Sequence, residues 1–288
     1  MTTKAENVLL PLIAYGTYID NRNDIPKILD RVKTAITLGY THIDTAHNYG
    51  TEKYVLQAIN GIDRNTIFIT SKIQHIINIE TLRTQLGEAQ YYDLLLLHYP
   101  PLNTRSRSNF KSKLLPIWRA MDEYVRSGVA KFIGISNFYN NHLDILLDLC
   151  QDHNLIYPIV NQLEIHPGNL ELQYVPYMLS KNILPFAHTP LGGLGSRSLL
   201  TNEILTTIGS RIGATEAQVV LAYLLKRGIG VVTSSSNVNH MEESIQASHF
   251  INYLSPEDMD LIDSTEIGFG PLTEGSAYAW EDNTHLMR

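Results

Sequence analysis

The stretch THIDTAHNYGTE, residues 41 to 52, places a carboxylate at Asp44 and a phenol at Tyr49, among small residues that would make a poor core. Two further ionisable side chains follow at comparable places: Lys72, after an apolar run ending at Ser71, and His98, in YYDLLLLHYPP. Carboxylate, phenol, ammonium and imidazole are groups with which proteins hold and move protons, so their convergence on one pocket would make an acid–base site. Taken singly, each has an ordinary structural reading. Asp44 can cap a turn, Lys72 can be a solvated helix-start lysine, His98 a hydrogen-bonded rim residue and Tyr49 a half-buried packing aromatic, because structural ion pairs also form at barrel rims. Jointly the four favour a site.

Short β-rich runs carry these residues and alternate with amphipathic segments along the chain. The runs that read as strands are Ile13 to Thr17, Thr41 to Asp44, Thr66 to Ser71, Asp93 to Leu97, Lys131 to Ile135, Ile159 to Gln162, Leu184 to His188 and Gly230 to Val232. Between them IPKILDRVKTAITLG, IETLRTQLGEAQ and LLPIWRAMDEYVRSG have apolar residues three and four apart, the first and last ending at a glycine suited to a helix C-cap. Eight such units with no Pro/Gly/Ser-rich linker predict a (β/α)8 TIM barrel over residues 1–288 as a single domain, with a C-terminal substrate-loop tail from about residue 266. In that architecture chemistry sits where strands end, and the four ionisable residues fall at three consecutive strand ends. No GxGxxG follows the first strand, which argues against an open dinucleotide-binding sheet.

Bulk properties narrow the function. The 288 residues are 44% hydrophobic and 18% charged with a formal net charge of -7, the composition of a globular protein and a poor one for a general nucleic-acid binder or for adhesion to an anionic membrane. No signal pattern or membrane-length apolar run occurs, so a cytoplasmic location is expected; the charge favours a small-molecule partner, and a monomer is expected. The single cysteine, Cys150, lies in the helical pattern HLDILLDLC and reads as a buried structural thiol. His42 and His47 raise the question of a metal, but neither HExxH nor HxH is present and no metal site is expected.

GYTHIDTAHNYGTE resembles the signature of the aldo-keto reductase superfamily, and SK at 71 and 72, LLLLHYP at 94 to 100, GISNF at 134 to 138 and NQLE at 161 to 164 are similar to its later motifs in the same order. The resemblance spans about residues 12 to 265. It implies a (β/α)8 barrel with NADP or NAD extended across its C-terminal face, reversible reduction of aldehydes or ketones, and a catalytic tetrad of Asp44, Tyr49, Lys72 and His98. Hydride reaching a carbonyl carbon builds negative charge on oxygen, so a proton donor must lie within reach. The expectation is that Lys72, oriented by Asp44, makes the Tyr49 phenol more acidic while His98 hydrogen-bonds the substrate oxygen.

The same resemblance implies cofactor contacts. Ser136, Asn137 and Gln162 match the side chains that hold the nicotinamide carboxamide, a group with a donor and an acceptor to satisfy. Leu191 and Gly192, in FAHTPLGGLGSRS, match the pyrophosphate loop. His188 stands where the family commonly has a Tyr or Trp stacked on the nicotinamide. The segment VVTSSSNVNHMEES departs further. Where a Lys and an Arg often clamp the adenosine 2'-phosphate of NADP, it has Ser234, Asn237 and His240, and no Lys or Arg occurs between Arg227 and Arg288. Ser235 and His240 remain available to phosphates and Glu243 to the adenine amine, with Arg197 a basic residue in a neighbouring loop, and NAD is expected to be tolerated or preferred. Tyr18, Tyr99, Tyr278 and Trp280 are the candidate substrate contacts, pointing to an aromatic or otherwise apolar carbonyl compound. Two other classes compete with the reductase: a redox-neutral isomerase or cyclase reusing the tetrad, and a non-catalytic dinucleotide-sensing barrel subunit.

Overall fold

Tyr92–Leu97 reads YDLLLL with no alternation of polar and apolar positions, the pattern of a strand covered on both faces, and all six residues are buried. The computed structural model describes residues 2–5, 8–101, 106–167, 174–193 and 199–264. An antiparallel hairpin, β1 (Thr2–Ala5) with β2 (Val8–Pro11), precedes the barrel strands. These are β3 (Ile13–Gly16), β4 (His42–Asp44), β5 (Phe68–Ile73), β6 (Tyr92–Leu97), β7 (Ala130–Ser136), β8 (Val160–Glu164), β9 (Leu184–His188) and β10 (Gly230–Thr233). They pair in parallel, each with its sequence neighbour, and β10 closes on β3, giving one eight-stranded barrel.

Helices pack on the outside of the barrel, beginning with α1 (Ile28–Thr37), α2 (Glu52–Ala58), α3 (Ile79–Leu86) and α4 (Arg107–Arg126), the last turning one apolar stripe inward. In α4 (Arg107–Arg126) the inward positions are Phe110, Leu114, Trp118 and Met121, spaced four, four and three apart. This helix starts at Arg107, capped by Ser106, whose side chain accepts from the Asn109 amide, so it runs seven residues further back than the pattern beginning at Leu114 predicts; the added turns have few apolar residues to mark them. The chain also enters α1 (Ile28–Thr37) through a separate 3-10 turn, Arg22–Lys27, that holds Pro26. The β1–β2 hairpin was not foreseen from sequence. Cys150 is buried on α5 (Asn140–His153), where burial pushes its thiol up to about 12 and leaves it unreactive.

Gly134 is required where β7 passes between β6 and β8. A Cβ there would lie 2.7 Å from Leu96 Cδ2 and 2.7 Å from the Val160 carbonyl oxygen, and barrel backbone cannot yield as a side-chain tip can. Gly134→Ala is expected to destabilise the fold by at least about 2 kcal/mol in chemical denaturation. A loss within about 0.5 kcal/mol would mean that the barrel accommodates the methyl group.

Candidate active site

Asp44 ends β4 and Lys72 is the fifth residue of β5, inside the strand rather than after it as the sequence reading had it. Both are buried, the ammonium side chain at 1% exposure and the carboxylate at 4%. Two charges this deep persist only if paired and fully hydrogen-bonded. Lys72 Nζ donates to Asp44 Oδ1 and to the Thr45 carbonyl at 3.1 Å, and the second Asp44 oxygen accepts from Gln162 Nε2 at 2.8 Å. Gln162 is a residue of β8, across the barrel, so this third contact joins strands 118 residues apart in sequence.

Tyr49 stands on a 3-10 turn, His47–Tyr49, that Gly50 closes with φ of 74°. The turn is anchored from below: His47 Nδ1 lies 3.4 Å from Glu52 Oε2, and the other Glu52 oxygen accepts from the Ser71 hydroxyl. The Tyr49 ring centroid is 5.1 Å from Lys72 Nζ. The ring also meets His98 edge-on at 5.6 Å and Tyr18 edge-on at 5.1 Å. Burial pushes the Tyr49 phenol well above its ordinary value, and the Asp44 carboxylate and then Tyr18 push the same way. This is the reverse of the greater acidity expected from Lys72. The ammonium directs its described hydrogen bonds to Asp44 and Thr45, so the carboxylate cancels much of its pull on the phenol.

His98 follows β6, its amide bonded to the Ile73 carbonyl at 2.8 Å and its ring stacked on Tyr99 at 4.6 Å. Burial, then Lys72, then His188 bring its imidazole down to about 2, so the ring is neutral at any working pH and has one N–H to donate. Its buried Nδ1 has no hydrogen-bond partner among the described residues.

The amides expected around a carboxamide do gather beside this set. Ser136 Oγ donates to the Gln162 carbonyl at 2.8 Å. Asn137 Nδ2 donates to the His98 carbonyl at 2.9 Å and to Ser136 Oγ at 3.1 Å. His188, ending β9, faces Asn137 Oδ1 at 3.3 Å through Nε2. Gln162 retains a second amide N–H beyond the one given to Asp44, and the Asn137 oxygen has a second lone pair, so these side chains offer both a donor and an acceptor. That pair suits a carboxamide, which needs both.

The adenosine end is more dispersed. After β9 the chain turns through Thr189–Gly193, with the Gly192 amide bonded to the Thr189 carbonyl at 2.9 Å and Leu191 half-buried. After β10, Ser234 and His240 are exposed while Ser235 and Glu243 are half-buried. The Ser235 carbonyl accepts from Tyr15 OH at 2.8 Å, and His240 and Glu243 lie on a helix, Val238–Gln246, capped by Asn237. The basic residues nearest in sequence are engaged elsewhere: Arg211 with Asp258, Arg227 with Asp263, and Lys226 with the Ile251 and Leu254 carbonyls. Arg197, Tyr278 and Trp280 lie outside the described residues.

His42 and His47 have structural partners. His42 bridges the Pro11 carbonyl and Thr70 Oγ1, both at 2.8 Å, and His47 pairs with Glu52. The residues that sequence reasoning missed are Thr45 and Glu52, the first acting through its carbonyl and the second from beneath the Tyr49 turn. The Glu in NYGTE was visible, but nothing in the sequence marked it as buried.

Residues 12–267 match the family model described as the aldo/keto reductase family. A mouse protein named aldo-keto reductase family 1 member D1 is 31% identical, covering 88% of this chain and 87% of its own. An aldo-keto reductase from a Medee basin deep-sea metagenome superposes with a TM-score of 0.80 at 31% identity, covering 95% and 97% of the two chains. An aldo-keto reductase complexed with NADPH gives 0.81 at 29% identity, covering 93% and 88%. The chain belongs to the aldo/keto reductase family. It is an oxidoreductase that transfers hydride between a nicotinamide dinucleotide and a small carbonyl or alcohol substrate. No described helix is long and apolar enough to cross a membrane.

Proposed function

We propose that Tyr49, Lys72, Asp44 and His98 carry out this reduction at the C-terminal mouth of a single barrel domain spanning residues 1–288, with a substrate-loop tail from about 266, in a cytoplasmic monomer. The observation that carries the reading is the buried Lys72–Asp44 pair, whose ammonium lies 5.1 Å from the Tyr49 ring. Ser136, Asn137 and Gln162 hold the carboxamide of the dinucleotide, which when bound supplies hydride to the carbonyl carbon. Tyr49 keeps its proton until charge develops on the substrate oxygen and then donates it. Lys72 is held by Asp44 at a distance where its charge favours that transfer, and neutral His98 offers its single N–H to the same oxygen. Because the free phenol is pushed upward, kcat/KM for reduction is expected to show no alkaline limb from Tyr49 below about pH 10. A limb near neutral pH that Tyr49→Phe removes would contradict this. Tyr18, 57% exposed, and Tyr99 give the mouth aromatic walls suited to an aromatic or otherwise apolar carbonyl compound, with Tyr278 and Trp280 as further contacts. Incubating the protein with reduced dinucleotide and a panel of aldehydes and ketones, and following loss of the reduced cofactor's absorbance, tests the whole reading. No turnover with any of them would overturn it.

NADH serves about as well as NADPH. A 2'-phosphate near Ser234 and His240 meets no lysine or arginine from residues 228 to 264, and each missing charge-assisted hydrogen bond forfeits about 1.5 to 3 kcal/mol. NADPH is therefore expected to bind no more than a few-fold tighter than NADH in fluorescence titration, and Ser234→Lys with His240→Arg to shift preference toward NADPH by at least about tenfold. Hundredfold tighter NADPH binding by the unmodified protein would place the phosphate on other residues, Arg197 first among them. Leu191, Gly192 and Ser235 then serve the phosphates through backbone and hydroxyl groups, and Glu243 the adenine amine.

A further inference from the structure

The hydrogen-bond order around His188 follows from groups that can only accept. The Gln162 carbonyl accepts from Ser136 Oγ, so that hydroxyl must in turn accept from Asn137 Nδ2. The His98 carbonyl also accepts from Asn137 Nδ2, which fixes the amide with nitrogen toward β6 and Oδ1 toward His188. An amide oxygen cannot donate, so the proton between them belongs to His188 Nε2. Its Nδ1 must then accept, and the Thr189 hydroxyl lies 3.1 Å away. Burial brings the His188 imidazole down to about 4, which keeps Nδ1 free of a second proton at neutral pH. Asn137 and Thr189, the two partners of the ring, both hold positive φ, 62° and 56°, and for the β-branched Thr189 that conformation is strained.

We propose that His188 is a positioning residue for the dinucleotide carboxamide, acting through Asn137: the acceptor-only Asn137 Oδ1 fixes its tautomer and is held by its Nε2–H, the Thr189 hydroxyl donates to its Nδ1 and anchors the ring, and the Asn137 oxygen is presented as the acceptor for the carboxamide N–H. Hydrogen bonds at both ring nitrogens set the plane of the imidazole, a constraint that a tyrosine or tryptophan at this position would not provide. The inference rests on the reading that Asn137 meets the nicotinamide, and it goes beyond that reading by assigning the polarity of the contact and the residues that impose it.

The test compares NAD+ with its 3-acetylpyridine analogue, in which a methyl group replaces the carboxamide NH2. Dissociation constants are measured for the parent, His188→Leu, His188→Gln and Thr189→Val. His188→Leu is expected to weaken NAD+ about tenfold, one net hydrogen bond, while changing the analogue less than about twofold. Gln places an amide N–H near the position of the imidazole Nε2–H, so His188→Gln should bind NAD+ within about threefold of the parent. Thr189→Val, isosteric but without the hydroxyl, should lose about threefold on NAD+ alone. Equal losses on both dinucleotides, or a Gln variant no better than Leu, would overturn the proposal while leaving the carboxamide site standing. If His188→Leu does not fold, Thr189→Val decides the question by the same selectivity. A parent that binds neither dinucleotide would instead remove the underlying assignment, and this inference with it.

Discussion

Tyr49→Phe is expected to lower carbonyl reduction by about 10²- to 10⁴-fold at saturating cofactor, the range over which a positioned proton donor accelerates such a step. The change deletes one oxygen from a ring held by Lys72 below and by the His98 and Tyr18 rings at its sides, so the aromatic packing survives. Cofactor affinity should move less than about twofold, because the hydroxyl acts on charge that appears only as the carbonyl is reduced. A steady-state rate paired with a dinucleotide titration separates the two effects. Reduction within a few-fold of the parent would remove Tyr49 from the role of acid. Neutral His98, its imidazole brought down to about 2, would then have to give up its only N–H to the product alkoxide, leaving an imidazolate that this buried site does not stabilise.

Lys72→Met should be comparably damaging to the rate, and it should also destabilise the fold by about 3 to 5 kcal/mol, because Asp44 would remain as a buried carboxylate without its cation. The two consequences can be pulled apart. In the double variant Lys72→Met with Asp44→Asn no uncompensated charge remains, and the Asn oxygen still accepts from Gln162 Nε2, so most of the stability should return. Activity should not, because the ammonium is still missing below the phenol. Denaturation midpoints and kcat/KM measured on the parent, the single and the double variant decide this. Recovery of rate together with stability would mean that Lys72 serves only to neutralise Asp44. With the positive charge gone and Asp44 intact, the single variant should also hold the Tyr49 proton more firmly than the parent does, so its rate should not recover on lowering the pH.

Several elements were legible before any coordinates because their determinants are local. Leu184–His188 was bounded to the residue, and the strands carrying Asp44 and His98 were found within one residue at either end, since a buried parallel strand is a short apolar run whose ends are marked by polar residues. β5 was placed two residues too early at both ends, Thr66 to Ser71 against Phe68–Ile73: its start lies beyond a 3-10 turn, Arg64–Thr66, and at its end a lysine in a strand reads as its termination unless the carboxylate that neutralises it is known. Helix α4 was begun too late for a related reason: RSNFKSK has little apolar periodicity, and its start is set by a serine cap and by the packing of Phe110 on His142 and Phe138.

The sequence by itself determined the eightfold alternation, the strand ends near which Asp44, Tyr49 and His98 fall, and the missing cations after the last strand, because residue types and their order along one chain are enough for each; Ser136, Asn137 and Gln162 were placed near them only through the family resemblance of their motifs. Only the tertiary structure decided how the site is wired. Gln162 binds Asp44 from across the barrel, Glu52 lies under the Tyr49 turn, and His188 engages the Asn137 oxygen. It also reversed the expected direction of the Tyr49 acidity, since desolvation and the net field of a carboxylate beside an ammonium depend on distances and burial in three dimensions and leave no trace in residue order.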